Sequence, residues 1–228
     1  MDDDGNVWSL QGLAQTKVMP SPAHDLFQKM MRHHVEQPLN VFEQITTLLC
    51  TPALLAVSSG ARALTQEATW RHFTPPLQVF SVSIMETFIE SYFFERYTKA
   101  DGTHYANKDE WLSGLATFNV RHSSSYNNRF SFQSLDRANE IYLLGFGKNL
   151  LAYPKINLVR LQFHKRHLFA HRSGLIDMKF IQEYNAFHSN DPSMHIAASM
   201  VGKIASLERS WIRDGAKVLS EFADFITT

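Results

Sequence analysis

A single cysteine, Cys50, leaves no partner for an intrachain disulfide and no cysteine cluster for a metal, so a reducing compartment is the expected setting. Net charge is absent too. Lys+Arg and Asp+Glu both total 22, so no global field draws the chain to nucleic acid or membrane, and any such affinity must come from a local patch. Long apolar runs are missing: Leu48 to Val57 falls far short of the roughly 20 residues a spanning helix needs and is broken at Pro52. The first six residues are acidic where a secretory leader would be basic and then apolar, so a cytoplasmic protein without membrane contact is expected. There is no internal repeat, low-complexity tract or sustained strand-like alternation. Phosphate-binding glycine loops, a Gly-x-Ser-x-Gly elbow, His-Glu-x-x-His and Glu-x-x-His pairs are also lacking.

What remains is helical patterning in a chain that is 44% hydrophobic and able to bury a full core. After a loose arm ending at Pro20-Ser21-Pro22, the periodicity predicts helices over 23–35, 40–50 and 54–72. Pro75-Pro76 predicts a break, because two successive prolines remove two helical donors. A long apolar helix is expected over 77–97, a shorter one near 108–118, a polar loop at 122–128, and a helix over 135–150. The next runs from about Pro154 to His171 and is stopped by Ser173-Gly174. Helices over 178–187 and 196–226, the latter bent near Gly215, complete an all-α reading. Residues 1–75 are expected to form an N-terminal helical extension and 76–228 the main helical domain.

The helix ending at His171 carries the chemistry. Arg160, His164, His167 and His171 are spaced four, three and four apart, so at about 100° per residue they share one narrow stripe. Leu161 and Leu168 flank it on one side; Ile156, Val159, Phe163 and Ala170 flank it on the other. Gln162, Lys165 and Arg172 are expected on an opposite, solvated face. Ionisable groups in the middle of an apolar face must be satisfied by something. Three explanations stand at this point: a hydrogen-bonded network or polar subunit interface, a metal shared by His164, His167 and His171, or a catalytic or RNA-contacting groove that uses titratable imidazoles.

The segment Arg166-His167-Leu168-Phe169-Ala170-His171, followed by Ser173-Gly174-Leu175-Ile176-Asp177, resembles the signature of the HEPN superfamily. That signature is an Arg, a polar residue, three further positions and a His near a helix end, then a small turn, an apolar pair and an acid. The stretch Ser83 to Tyr92, with Glu86 and Glu90, is similar to the early HEPN helix that carries an inward acid. The resemblance covers roughly residues 77–226 and leaves 1–75 without a counterpart.

The resemblance implies a HEPN-like helical bundle, a homodimer joined through the signature helix, and metal-independent RNA cleavage with no cofactor. In that reaction the ribose 2′-OH attacks the adjacent phosphate and leaves a cyclic phosphate end. It implies His171 as general acid or base, Arg166 as stabiliser of the phosphorane, and His167 as a second proton carrier or phosphate anchor. Arg160, His164, Lys165 and Arg172 would follow the RNA backbone, and Glu86, Glu90 and Asp177 would support the site. Between Lys155 and Lys179 there are six Lys/Arg and one acid, Asp177, the kind of local excess a neutral chain needs to hold phosphate; Arg121, His122 and Arg129 are further candidates. Many small members of the family are toxins or antiviral effectors restrained by a regulatory protein such as an antitoxin. Others are silent modules that pair with a partner such as a nucleotidyltransferase.

Overall fold

A computed structural model describes residues 21–49, 59–97, 102–104, 110, 132–190, 192–205 and 209–228. These form an all-α bundle with a cluster of helices at its N-terminal end. Helix α1 (Pro22–Met31) opens with Pro at its first position, where a missing N–H costs nothing. Ser21 caps it by accepting the His24 N–H at 3.2 Å, and the same hydroxyl donates to Glu95 at 2.9 Å. The gap expected before Asn40 does not exist. A π-helical turn, Arg32–Glu36, carries α1 directly into α2 (Gln37–Leu49), with the Gln37 N–H bonded five residues back to Arg32.

Helix α3 (Ser59–Arg96) overturns a second expectation by running through Pro75 and Pro76 without a break. The two rings remove two ladder donors, but Thr74, Leu77, Gln78, Ser81 and Val82 around them are buried. Tertiary packing therefore holds the backbone in a conformation that local propensity disfavours. Farther along, α3 is central: Met85, Ile89 and Phe93 are fully buried. Phe93 stacks on Tyr97 with centroids 5.2 Å apart, and its ring lies so close to Gly145 that a Cβ there would sit 2.8 Å away. Truncating Phe93 to Ala would cost about 3–5 kcal/mol.

Helix α4 (Leu135–Phe146) ends at Gly147, whose φ of 68° terminates the turn, four residues before the expected end. After a 3-10 turn at Leu150–Ala152 come α5 (Ile156–Arg172), α6 (Met178–Phe187) and, at the C-terminus, α7 (Arg209–Thr227). The helix expected over 196–226 begins only at Arg209. Within 196–205 the backbone instead forms a short 3-10 turn, Ala198–Met200, and pairs with the turn after α5. Gly202 donates to Ile176 at 2.8 Å, Ile176 to Lys203 at 2.9 Å, and Ala205 to Gly174 at 2.8 Å. Those bonds, with the Leu175–Ile204 bridge, take up groups a helix would have used internally.

Helices α1, α3, α5 and α7 converge on one core in which Phe27, Met31 and Val35 pack with Phe88, Ile89, Val159, Leu219 and Phe222. A smaller cluster, Leu168, Ile176, Phe180 and Ile181, locks α6 against the end of α5. No helix among the described residues is long and apolar enough to cross a membrane. The arm before residue 21, the helix expected at 108–118 apart from Glu110, and Cys50, Arg121, His122 and Arg129 lie outside the described residues.

Candidate functional site

Helix α5 is embraced by three neighbours, α3, α6 and α7. Going round it at about 100° per residue, the buried positions Leu168, Leu161, Lys165, Gln162, Val159 and Phe163 take up roughly two thirds of the circumference. The remaining sector holds Arg160, His164, His167 and His171. The stripe expected in the middle of the core face is therefore the sector that core helices leave open. The expected solvent face is corrected with it: Gln162 is 2% and Lys165 8% exposed, while Arg172 alone of that trio is exposed.

Each burial has a specific partner. The side-chain carbonyl of Gln162 accepts from Gln78 Nε2 at 3.0 Å, and its backbone carbonyl accepts from the same amide at 3.2 Å. Lys165 extends under α7, with its ammonium 3.2 Å from the centroid of the Trp211 ring and 6.0 Å from that of Tyr184. Such desolvated cation–aromatic contacts are worth about 2 kcal/mol. This placement sets Lys165 apart from the open sector, against the expectation that it follows RNA.

At the C-terminal end of α5 the triad of Arg166, His167 and His171 comes together. Arg166 Nη1 lies 3.5 Å from His171 Nε2, and the His167 and His171 rings are 4.9 Å apart, centre to centre. Behind them, Glu86 of α3 places Oε2 3.4 Å from Arg166 Nη2. Glu86 is buried, and that burial, only partly offset by the Arg166 charge, lifts its carboxyl to about 6. Partial burial, and then the neighbouring His171 and Lys179, hold His167 below the ordinary imidazole value. Helix α5 stops on two left-handed residues, Ser173 at φ 52° and Gly174 at φ 78°, and Gly174 N–H closes back on Leu168 at 3.1 Å.

The supporting acids divide. Glu86 lies against Arg166. Asp177 acts chiefly as the cap of α6, accepting the Phe180 N–H at 2.8 Å, with Arg172 Nε 3.9 Å from its other oxygen.

One turn and more toward the N-terminus the stripe opens into a groove of about 530 Å³ between α4, α5 and α6. Arg160, His164 and His167 line it, over an apolar floor that includes Leu161, Phe163 and Phe187; Arg166, His171 and Arg172 are not among its walls. Arg160 pairs with Asp136 at 2.7 Å, and His164 Nδ1 lies 2.7 Å from Glu183 of α6. Burial pushes the Glu183 carboxyl up; burial, with Lys179 and Arg160 nearby, brings His164 down. Asp136, Lys179 and Glu183 were not singled out from the sequence. Their only signal is indirect, since Lys179 and Glu183 stand four apart on a short helix that must fold back on α5. Of the three explanations for the stripe, a shared metal has no support in the geometry: among the described residues no group of three His, Cys, Asp or Glu converges as a ligand set.

The chain is thus an all-α bundle with an open, histidine-bearing helix face, and it matches no family model, no curated protein and no solved structure.

Proposed function

We propose that the protein is an endoribonuclease of the HEPN type. The observation that carries the reading is the convergence of Arg166, His167 and His171 at the open end of α5. Two imidazoles with ring centres 4.9 Å apart are close enough to serve one phosphodiester, one taking the 2′-OH proton and the other protonating the leaving 5′-oxygen. The Arg166 guanidinium beside them supplies paired donors for the phosphorane charge. The products of such a step are a 2′,3′-cyclic phosphate and a free 5′-hydroxyl, and the proton balance closes without a metal.

Support for a homodimer through this end of the helix comes from the surface beside it. Leu175, Met178, Val201 and Ile204 are exposed apolar residues, Ile204 to 72%, immediately past His171. A dimer on that face would set two copies of the triad across one axis. A role as a toxin or phage-defence effector restrained by a regulatory protein follows from the resemblance and from nothing else.

A second reading has an observation of its own. The Arg166 side chain is only 18% exposed and is already held by Glu86, the posture of a structural ion pair. This favours a catalytically silent HEPN module that pairs with a partner protein such as a nucleotidyltransferase. Incubating total cellular RNA with the purified protein in excess EDTA separates the two. Cleavage to cyclic-phosphate ends, lost in both His171→Ala and Arg166→Ala with circular dichroism unchanged, supports the nuclease. Inert wild-type protein, or mutants as active as wild type, removes it.

A further inference from the structure

The groove beside the triad has an imidazole on its wall with a carboxylate against one ring nitrogen. His164 Nδ1 lies 2.7 Å from Glu183 Oε2, and Glu183 is in turn 3.9 Å from Lys179 Nζ, one turn back on α6. The contact is an ion-pair distance, and a carboxylate beside Nδ1 favours a proton on that nitrogen, which leaves Nε2 as an acceptor. No described residue bonds that Nε2, and the ring lines the groove. The depressed proton affinity of His164 favours the same neutral form.

Distance decides what this acceptor serves. His164 and His171 are seven residues apart on one helix, about 10.5 Å along its axis. That is too far for both to reach the two oxygens of one phosphorane. His167, about 4.5 Å from His164 along the axis, belongs to both places: it contacts His171 and also walls the groove. The groove therefore opens directly from the triad toward the neighbouring unit of a bound strand. Its size falls within the roughly 300–1,000 Å³ of small-molecule sites. Its chemistry is mixed, with an apolar floor of Leu161, Phe163, Leu168 and Phe187 under a polar rim of Asn157 and Arg160. Single-stranded bases are held by such combinations of apolar or aromatic faces with fixed hydrogen-bonding groups. The cations are a poor match for a bare phosphate, because Arg160 is occupied by Asp136 at 2.7 Å and Lys179 faces Glu183.

We propose that this groove is a nucleobase subsite, in which one unpaired base lies against the apolar floor and donates an N–H to His164 Nε2, held in place by Glu183. The inference deepens the ribonuclease reading by assigning base selection to a place one unit away from the scissile phosphate.

Because 2′-O-methyl dinucleotides lack the attacking hydroxyl, they report binding without cleavage. The full-length protein is titrated with all sixteen, with affinity measured by calorimetry and the imidazole nitrogens followed by histidine-selective NMR. The expected result is preference for a subset of sequences and a perturbed His164 Nε2 signal in wild type. His164→Ala should weaken the preferred dinucleotides about 5- to 10-fold, and Glu183→Ala by a smaller factor, as expected for one lost and one loosened hydrogen bond. His171→Ala should retain the preference. A wild-type His164 signal that ignores every dinucleotide, or variants that bind as wild type does, overturns the subsite. RNA cleavage that persists in that case leaves the nuclease reading standing alone. Base-selective binding without any cleavage leaves the subsite standing and removes the nuclease.

Discussion

Glu86 and Arg166 meet across the contact of α3 with α5 at 3.4 Å, yet the other Glu86 oxygen is buried with no hydrogen-bond partner among the described residues. Burial disfavours the charged carboxylate and the Arg166 charge offsets this only in part, so its pKa stands at about 6 against an ordinary 4.5. The sign for stability follows from proton binding. Between those values the folded chain holds a proton that the unfolded chain has lost, so stability falls as pH rises from 4.5 to about 6. The shift corresponds to about 2 kcal/mol. Glu86→Gln should therefore gain about 2 kcal/mol relative to wild type between pH 4 and pH 7.5, by urea denaturation. A difference that does not change with pH would mean that Glu86 is fully satisfied as an anion.

The imidazoles pull the other way. His164, chiefly through burial and then Lys179 and Arg160, and His167, through burial and then His171, hold protons less well folded than unfolded. Stability from these two groups is complete above the ordinary imidazole range and is lost as pH falls through it. In wild type this partly cancels the Glu86 trend. Glu86→Gln should thus unmask a loss of stability from pH 7 down to pH 5.5, and adding His164→Gln should flatten it. NMR titration midpoints of His164 and His167 at or above ordinary imidazole values would contradict this.

The outline of the bundle was legible because helices announce themselves by period. The bounds of α6 and the end of α5 at Ser173-Gly174 follow from apolar spacing and a left-handed stop. Two features were hidden because they depend on partners distant in sequence. Pro75-Pro76 looks like a break until Thr74, Leu77 and Gln78 beside it are buried, and residues 196–205 look helical until Gly174 and Ile176 claim their backbone groups. The site shows the same division. The stripe of Arg160, His164, His167 and His171 was visible as a spacing, but which sector of α5 stays open depends on where α3, α6 and α7 pack. Lys165 and Gln162 were assigned to solvent because they project opposite the stripe, and that projection says nothing of a tryptophan or a glutamine waiting on another helix.

Gly215 is where α7 crosses α5. A Cβ there would stand 2.6 Å from the Gln162 side-chain oxygen, the atom that accepts from Gln78. Alanine normally gains about 1 kcal/mol over glycine inside a helix. Here it must displace a buried amide and break its hydrogen bond, at about 1–3 kcal/mol from each effect. Gly215→Ala should be destabilising by about 1–5 kcal/mol net, and Gln162→Ala in the same chain should remove most of the clash. A more stable Gly215→Ala protein would show that Gln162 yields freely.

Lys165 separates packing from nucleic-acid contact most cleanly. Its ammonium lies 3.2 Å from the centre of the Trp211 ring, on the side of α5 away from the groove. Replacement by Ala removes a buried stem and a desolvated cation–aromatic contact together, so a loss of about 2 kcal/mol is expected, with altered Trp211 fluorescence. Were Lys165 instead a phosphate contact, the variant would keep its stability and the slope of log affinity for RNA against log salt would fall by about one. Arg172, exposed at the end of the same helix, serves as the control because it can leave its long 3.9 Å pairing with Asp177 for a backbone phosphate without unpacking the core. For Lys165→Ala the buried geometry predicts lower stability and an unchanged salt slope. Finding the reverse would return Lys165 to the RNA-binding face and require α7 to move off it when RNA binds.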